Sequence, residues 1–185
     1  LSRKVDQLII GGGIANTFLS ASGVNIGKSL CERELVGTAK KIMDSTNVPL
    51  PSDVVIAKDC HADSASVVKA VSEIEDDDII LDIGPETVGN FSDLIESMRT
   101  VIWNGPMGVF EFPQFSRGTE SIALAVARNE GFSIAGGGET IAAIDRFAVG
   151  NDISYISTGG GAFLEFVQGG QLPAVQLLNE KSNNS

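Results

Sequence analysis

Three runs of three glycines, Gly11–Gly13, Gly136–Gly138 and Gly159–Gly161, each follow a short apolar stretch and each open a helix-like one. They hold nine of the chain's 21 glycines. Glycine lets the backbone take positive φ and lets a ligand approach main-chain N–H groups. A helix starting just beyond presents unpaired N–H donors and the positive end of its dipole. Repeated three times, the pattern describes strand-to-helix junctions and one face suited to phosphate.

The rest of the chain alternates in the same way. Strands are predicted at 6–10, 53–57, 79–83, 101–103, 132–135 and 153–157, and an antiparallel excursion at 65–74. Helices are predicted at 14–22 (Ile14, Phe18 and Leu19 on one face), 32–45, 85–98, 114–129, 140–147 and 162–167, with a polar tail at 179–185. Such alternation implies βαβ units. The expected fold is α/β: a Rossmann-like three-layer sandwich with a mostly parallel sheet, in one domain over residues 1–185. Ligands in such sheets sit at the carboxyl ends of the strands, where every glycine-rich junction falls.

Charge narrows the partners. A net charge of −11 argues against nucleic acid and anionic membrane. No apolar run reaches the length of a membrane span. An acidic chain that binds phosphate must use backbone dipoles, a few local cations or a metal ion. The single histidine, His61, excludes histidine triads and reads as a solvated loop residue. Cys31 and Cys60, without C-x-x-C spacing, read as reduced buried thiols of a cytosolic protein. Gly23–Ser29 (G-V-N-I-G-K-S) is one residue short of a P-loop and follows a helix, so Lys28 reads as a surface residue. The sixth positions from the triplets are Asn16, Ile141 and Leu164, so none completes G-x-G-x-x-G and a dehydrogenase-type domain is disfavoured.

Four segments carry candidate chemistry. Gly84–Thr87 (G-P-E-T) suits the capping of a helix. Trp103–Glu111 (W-N-G-P-M-G-V-F-E) reads either as a structural loop or as a sugar site. In the second reading Val109 and Phe110 pack on a ring and a carboxylate meets hydroxyls. Glu139, after the second triplet, is either a favourable dipole contact or a ligand to Mg²⁺ carried by nucleotide phosphates. Gly159–Gly161 is the better candidate for direct phosphate contact.

In order along the chain, G-G-G-I-A-N-T-F-L (Gly11–Leu19), I-G-K-S-L (Ile26–Leu30), D-I-G-P-E-T (Asp82–Thr87), W-N-G-P-M-G-V-F-E, G-G-G-E-T (Gly136–Thr140) and S-T-G-G-G-A-F-L-E (Ser157–Glu165) resemble the carboxyl-terminal, nucleotide-binding domain of phosphoglycerate kinase, bacterial members above all. The resemblance implies Mg²⁺-dependent phosphoryl transfer between 1,3-bisphosphoglycerate with ADP and 3-phosphoglycerate with ATP, in a cytoplasmic, usually monomeric glycolytic enzyme. It implies that Gly12, Gly13 and Leu30 flank the adenine, with Gly84 and Val109 lining its pocket. Asn104 and Pro106 lie by the nucleotide, and Glu111 holds the ribose. Gly137 and Gly138 lead to Glu139 at the metal and Thr140 at a phosphate. Gly159, Gly160 and Gly161 receive the phosphoryl group through their N–H groups.

Two departures qualify these expectations. The family usually carries Asp where this chain has Glu139, and one methylene moves a carboxylate by about 1.5 Å. The chain also lacks the family's amino-terminal domain, with its basic patch for 3-phosphoglycerate, and the first strand and lysine-bearing helix of the nucleotide domain. Lys4 has no surrounding motif that would make it that lysine. The expectation is therefore a nucleotide site inactive by itself, with an unpaired sheet edge that lowers stability or promotes association. A non-catalytic nucleotide-binding module or a truncated regulatory product is the alternative.

Overall fold

The computed structural model describes residues 5–160, 162, 163, 165 and 169. Helix α1 (Gly12–Ala21) and helix α2 (Val36–Ser45) precede an antiparallel sheet of β1 (Asp53–Ala57), β2 (Val67–Ala70) and β3 (Ile79–Ile83). Helix α3 (Pro85–Ser97), β4 (Thr100–Trp103), α4 (Arg117–Arg128), β5 (Phe132–Gly136), α5 (Gly138–Phe147) and β6 (Tyr155–Ser157) follow. Strands β4, β5 and β6 form a parallel sheet in that order, flanked by helices. The α/β class with a parallel sheet holds. Beside it stands the second sheet, ordered β2-β1-β3, in which β1 runs antiparallel to both neighbours. The excursion expected at 65–74 is β2.

Register decides which strand residues are buried. Val101 pairs with Ser133 and Trp103 with Ala135, and all four are buried. The alternate positions Ile102, Phe132 and Tyr155 are exposed, as a period of two requires. Against the buried face pack Phe91 and Ile95 of α3, Ile122 and Val126 of α4, and Ile144 of α5. A second cluster joins Ile10, Ala15, Phe18 and Ala39.

Several boundaries differ from the sequence reading. Residues 6–10 are not a strand. They make one parallel bridge, Gln7 to Asn47, and are held instead by burial of Ile10. Helices α1 and α5 start two residues early, inside their glycine triplets, because Gly12 at φ 59° and Gly137 at φ 100° turn the chain without a side chain to strain. Ile14, in the first turn, is exposed, whereas Phe18 and Leu19 are buried. The expected helix at 32–45 begins as a 3₁₀ turn (Arg33–Leu35), and α4 is likewise preceded by one at Pro113–Phe115. Cys60 is exposed and Cys31 half-buried, so neither is a core thiol, and both are free. Of the helix expected at 162–167, Ala162, Phe163 and Glu165 are described as helical. The tail at 179–185 lies outside the described residues.

Two buried aspartates tie strands to helix starts. Asp53 of β1 accepts the N–H groups of Glu86 (3.0 Å) and Thr87 (2.7 Å) in the first turn of α3. The Thr87 hydroxyl in turn accepts the N–H groups of Ser52 and Asp53. A Cβ on Gly84 would collide with the Asp53 carboxylate, so glycine there makes room for the acid. Asp53→Ala should cost about 2 kcal/mol or more, since it leaves buried donors without an acceptor. Urea denaturation reads this directly, and a loss below about 0.5 kcal/mol would show that the cap contributes little.

Candidate functional site

The loop that leaves β4, Asn104–Gly108, has no ladder partner and is instead held by the side chains of Trp103, Thr140 and Thr119 and by the backbone of Gly12. The indole N–H of Trp103 donates to the Gly105 carbonyl at 2.9 Å. The Gly105 N–H donates to the hydroxyl of fully buried Thr140 at 2.7 Å. The N–H groups of Met107 and Gly108 donate to the hydroxyl of fully buried Thr119, at 3.1 and 3.2 Å. The Met107 carbonyl accepts the Gly12 N–H at 3.0 Å. Asn104 donates from its side chain to the Gly136 carbonyl at 2.5 Å.

This loop draws two helix starts together. Gly11 lies against the Met107 side chain and the Pro106 carbonyl, with no space for a Cβ. Gly137 lies against the Asn104 amide in the same way. The N-termini of α1 and α5 therefore meet one loop at the carboxyl end of β4. Their donors have a different fate from those of α3 and α4. Asp53 caps α3, and Asp82 caps α4 by accepting the Gly118 N–H at 2.7 Å. Among the described residues, none accepts from the N–H groups of Gly13, Ile14, Gly138 or Glu139. Uncapped helix starts with glycine at their mouths have the dipole and the free donors that favour an anion.

The other predicted residues fall as follows. Leu30 is exposed beside Gly13, leaving an open apolar side chain at the start of α1. Gly138 and Glu139 are exposed at the start of α5. The hydroxyl of Thr140 points into the Gly105 N–H. Gly84 is buried against Asp53, and Val109 is half-buried beside Leu81 and Phe115. Glu111 is exposed, and its carbonyl accepts from Arg146. Phe110 is a core residue, 6.4 Å between ring centroids from Phe147, so it is not free to pack on a sugar ring. Gly159 and Gly160 are exposed after β6, the N–H of Gly159 directed at Ser157 Oγ (3.3 Å). Gly161 lies outside the described residues. Lys28 and His61 are exposed, as expected.

Asp82 and Thr119 were missed by pattern reading. Both sit inside apolar or helical runs where nothing but the neighbouring Gly118 hints at a buried contact. A Cβ on Gly108 or on Gly118 would collide with the Asp82 carboxylate, so both glycines are cut to its shape.

One carboxylate group lies elsewhere. Glu75, Asp77 and Asp78 are close enough to share a cation. Lys58 and Lys69 already fill that role, at 2.6 Å from Asp77 and 2.8 Å from Asp78 respectively. Burial opposes ionisation of Asp78, but the two ammonium groups and the Glu75 N–H outweigh it and hold the carboxyl well below the usual range. This is an ion network tying the end of β1 and strand β2 to the turn that precedes β3.

The sequence pattern of the family described as phosphoglycerate kinase matches residues 1–170. The chain belongs to the phosphoglycerate kinase family. Among solved structures, phosphoglycerate kinase from Coxiella burnetii superposes with a TM-score of 0.94 at 45% identity, covering 100% of this chain and 48% of that one. Phosphoglycerate kinase from Pyrococcus horikoshii OT3 superposes with a TM-score of 0.84 at 31% identity, covering 96% of this chain and 46% of that one. The chain thus spans about half the length of these phosphoglycerate kinases.

In this phosphoglycerate kinase family member the buried Asp82 carries a pH signature. Burial raises its carboxyl to about 7, against the opposing pull of the Gly118 and Ile83 N–H groups. The folded value lies above the unfolded one, so the unfolded state loses its proton first. Stability attributable to Asp82 should be full below about pH 4 and should fall as pH rises to about 7, by on the order of 3–4 kcal/mol. Denaturation of the chain and of Asp82→Asn across this range checks it. The stability difference between the two should shrink or reverse with rising pH, and a pH-independent difference would contradict the assignment.

Proposed function

We propose that the chain is the nucleotide half of a phosphoglycerate kinase. The reaction is reversible Mg²⁺-dependent phosphoryl transfer between 1,3-bisphosphoglycerate with ADP and 3-phosphoglycerate with ATP, in cytoplasmic glycolysis. One observation carries this reading: two uncapped helix starts, α1 and α5, meet at a single loop, one beside an exposed leucine and one beside an exposed carboxylate.

The base fits the first of these. Gly12 and Gly13 leave the backbone open, and Leu30 offers an apolar surface beside them. The phosphates fit the second, where Gly138 and Glu139 present free N–H groups. Glu139 is a hard oxygen donor at the mouth of α5, the donor type that suits Mg²⁺. When bound with the nucleotide, Mg²⁺ neutralises phosphate charge that an acidic protein would otherwise repel. The longer arm of Glu139, relative to the family's Asp, favours contact with the metal through water. Gly160, exposed after β6, would donate to the phosphoryl group in transit with Gly161, and Gly159 would join them once its N–H leaves Ser157 Oγ. Asn104 and Pro106 border the phosphates through the loop, Glu111 meets the ribose hydroxyls, and Gly84 and Val109 support the pocket from beneath.

The reading makes residues 1–185 the carboxyl-terminal domain of a two-domain enzyme. The acceptor, 3-phosphoglycerate, belongs on the other domain. Without that domain the chain lacks the alignment of both substrates, a contribution of about 7–11 kcal/mol. The chain alone should therefore bind Mg·ADP and form no detectable ADP from 3-phosphoglycerate and Mg·ATP. Turnover near that of a complete enzyme would refute the two-domain reading.

Calorimetry with ADP tests the metal role. Glu139→Ala should weaken Mg·ADP binding by roughly tenfold, the effect of one lost charge-assisted contact, and leave metal-free ADP unaffected. Equal affinities of both proteins for Mg·ADP would remove Glu139 from the metal.

A further inference from the structure

We infer that Thr119 is a positioning residue for the nucleotide site, setting the Asn104–Gly108 loop through hydrogen bonds that no ligand makes. The inference rests on the nucleotide reading above. Thr119 stands in the first turn of α4 and is fully buried. Its hydroxyl accepts two consecutive loop amides, Met107 and Gly108. A hydroxyl has two acceptor lone pairs, so both are used.

The hydroxyl is itself held from below. Gly118, the preceding residue, donates its N–H to Asp82 of β3 and lies so close to it that a Cβ would collide with that carboxylate. Thr119 is therefore fixed to the antiparallel sheet and passes that position to a loop belonging to the parallel one. With both N–H groups turned inward, the carbonyl of Met107 faces the Gly12 N–H of α1. Rotating this peptide would break the Gly12 contact and shift the start of α1, where the base is expected. Thr119 touches neither base nor phosphate in this account and acts only through the loop.

Thr119→Val keeps the shape and removes the acceptor, leaving the buried Met107 N–H and the part-buried Gly108 N–H unpaired. The Kd for Mg·ADP should rise about tenfold, the scale of one unsatisfied buried group. Thr119→Ser restores the hydroxyl and should return the Kd to within about twofold of the parent. Ile122→Val, a core change one turn further along α4, should lower stability without altering the Kd. Trp103, the single tryptophan, donates into the same loop and should show red-shifted emission in Thr119→Val alone. Unchanged Mg·ADP affinity in a folded Thr119→Val protein overturns the inference, as does a matching loss in Ile122→Val. If the parent chain binds no Mg·ADP at all, the nucleotide reading fails instead. Hydrogen exchange of the unliganded parent chain then decides the positioning role, and also does so if Thr119→Val does not fold. Protected Met107 and Gly108 amides support it, and exchange at free-peptide rates overturns it.

Discussion

The fate of helix N-terminal N–H groups organises this molecule. Each α-helix begins with donors that its own backbone cannot satisfy. In α3 and α4 the protein supplies the acceptors itself, from Asp53 and Asp82, two carboxylates that reach up from neighbouring strands. In α1 and α5 no described residue does so, and glycine lines the approach. Two helix starts thus have a strand carboxylate as acceptor, which stabilises the fold, and two present donors that can receive a ligand. Packing of Phe91, Ile122 and Ile144 against the parallel sheet holds α3, α4 and α5, and packing of Ala15 and Phe18 against Ile10 and Ala39 holds α1.

The loop after β4 converts two separate helix starts into one site. Its main-chain groups are engaged by Thr119, Thr140, Trp103 and Gly12, so an irregular segment is held without ladder hydrogen bonds. Thr140 shows how one residue type can hold a different place from the one its motif suggests. Its neighbours Gly138 and Glu139 are exposed, while its own hydroxyl is buried on the Gly105 N–H. The side chain supports the loop, and the helix start it belongs to carries the free donors.

Much of this was legible in the sequence because glycine triplets and apolar periodicity are local signals. The parallel strands and helices α3 and α5 follow from local pattern, and the first two glycine triplets do meet the loop after β4. The misses have a common physical cause, since they depend on contacts between distant segments. Residues 6–10 look like a strand, but a strand needs a neighbour over several residues, and here Asn47 supplies one bridge. Phe110 sits in a motif that suggested a ring contact, yet the core around Phe147 claimed it. Asp53 and Asp82 fall within predicted strands, and no local pattern marks either as a helix cap. Only the fold shows Gly84, Gly108 and Gly118 closing around their carboxylates.

The central claim is that the open helix starts, and not the capped ones, receive the nucleotide. Backbone amide shifts of the chain, titrated with Mg·ADP and separately with adenosine, test it most directly. Mg·ADP should move Gly138 and Glu139 strongly, adenosine should move Gly13 and Ile14 and leave Gly138 and Glu139 in place, and Thr87 and Gly118 should stay in place under both. Shifts centred on Thr87 or Gly118, with Gly138 and Glu139 unmoved, would contradict the account.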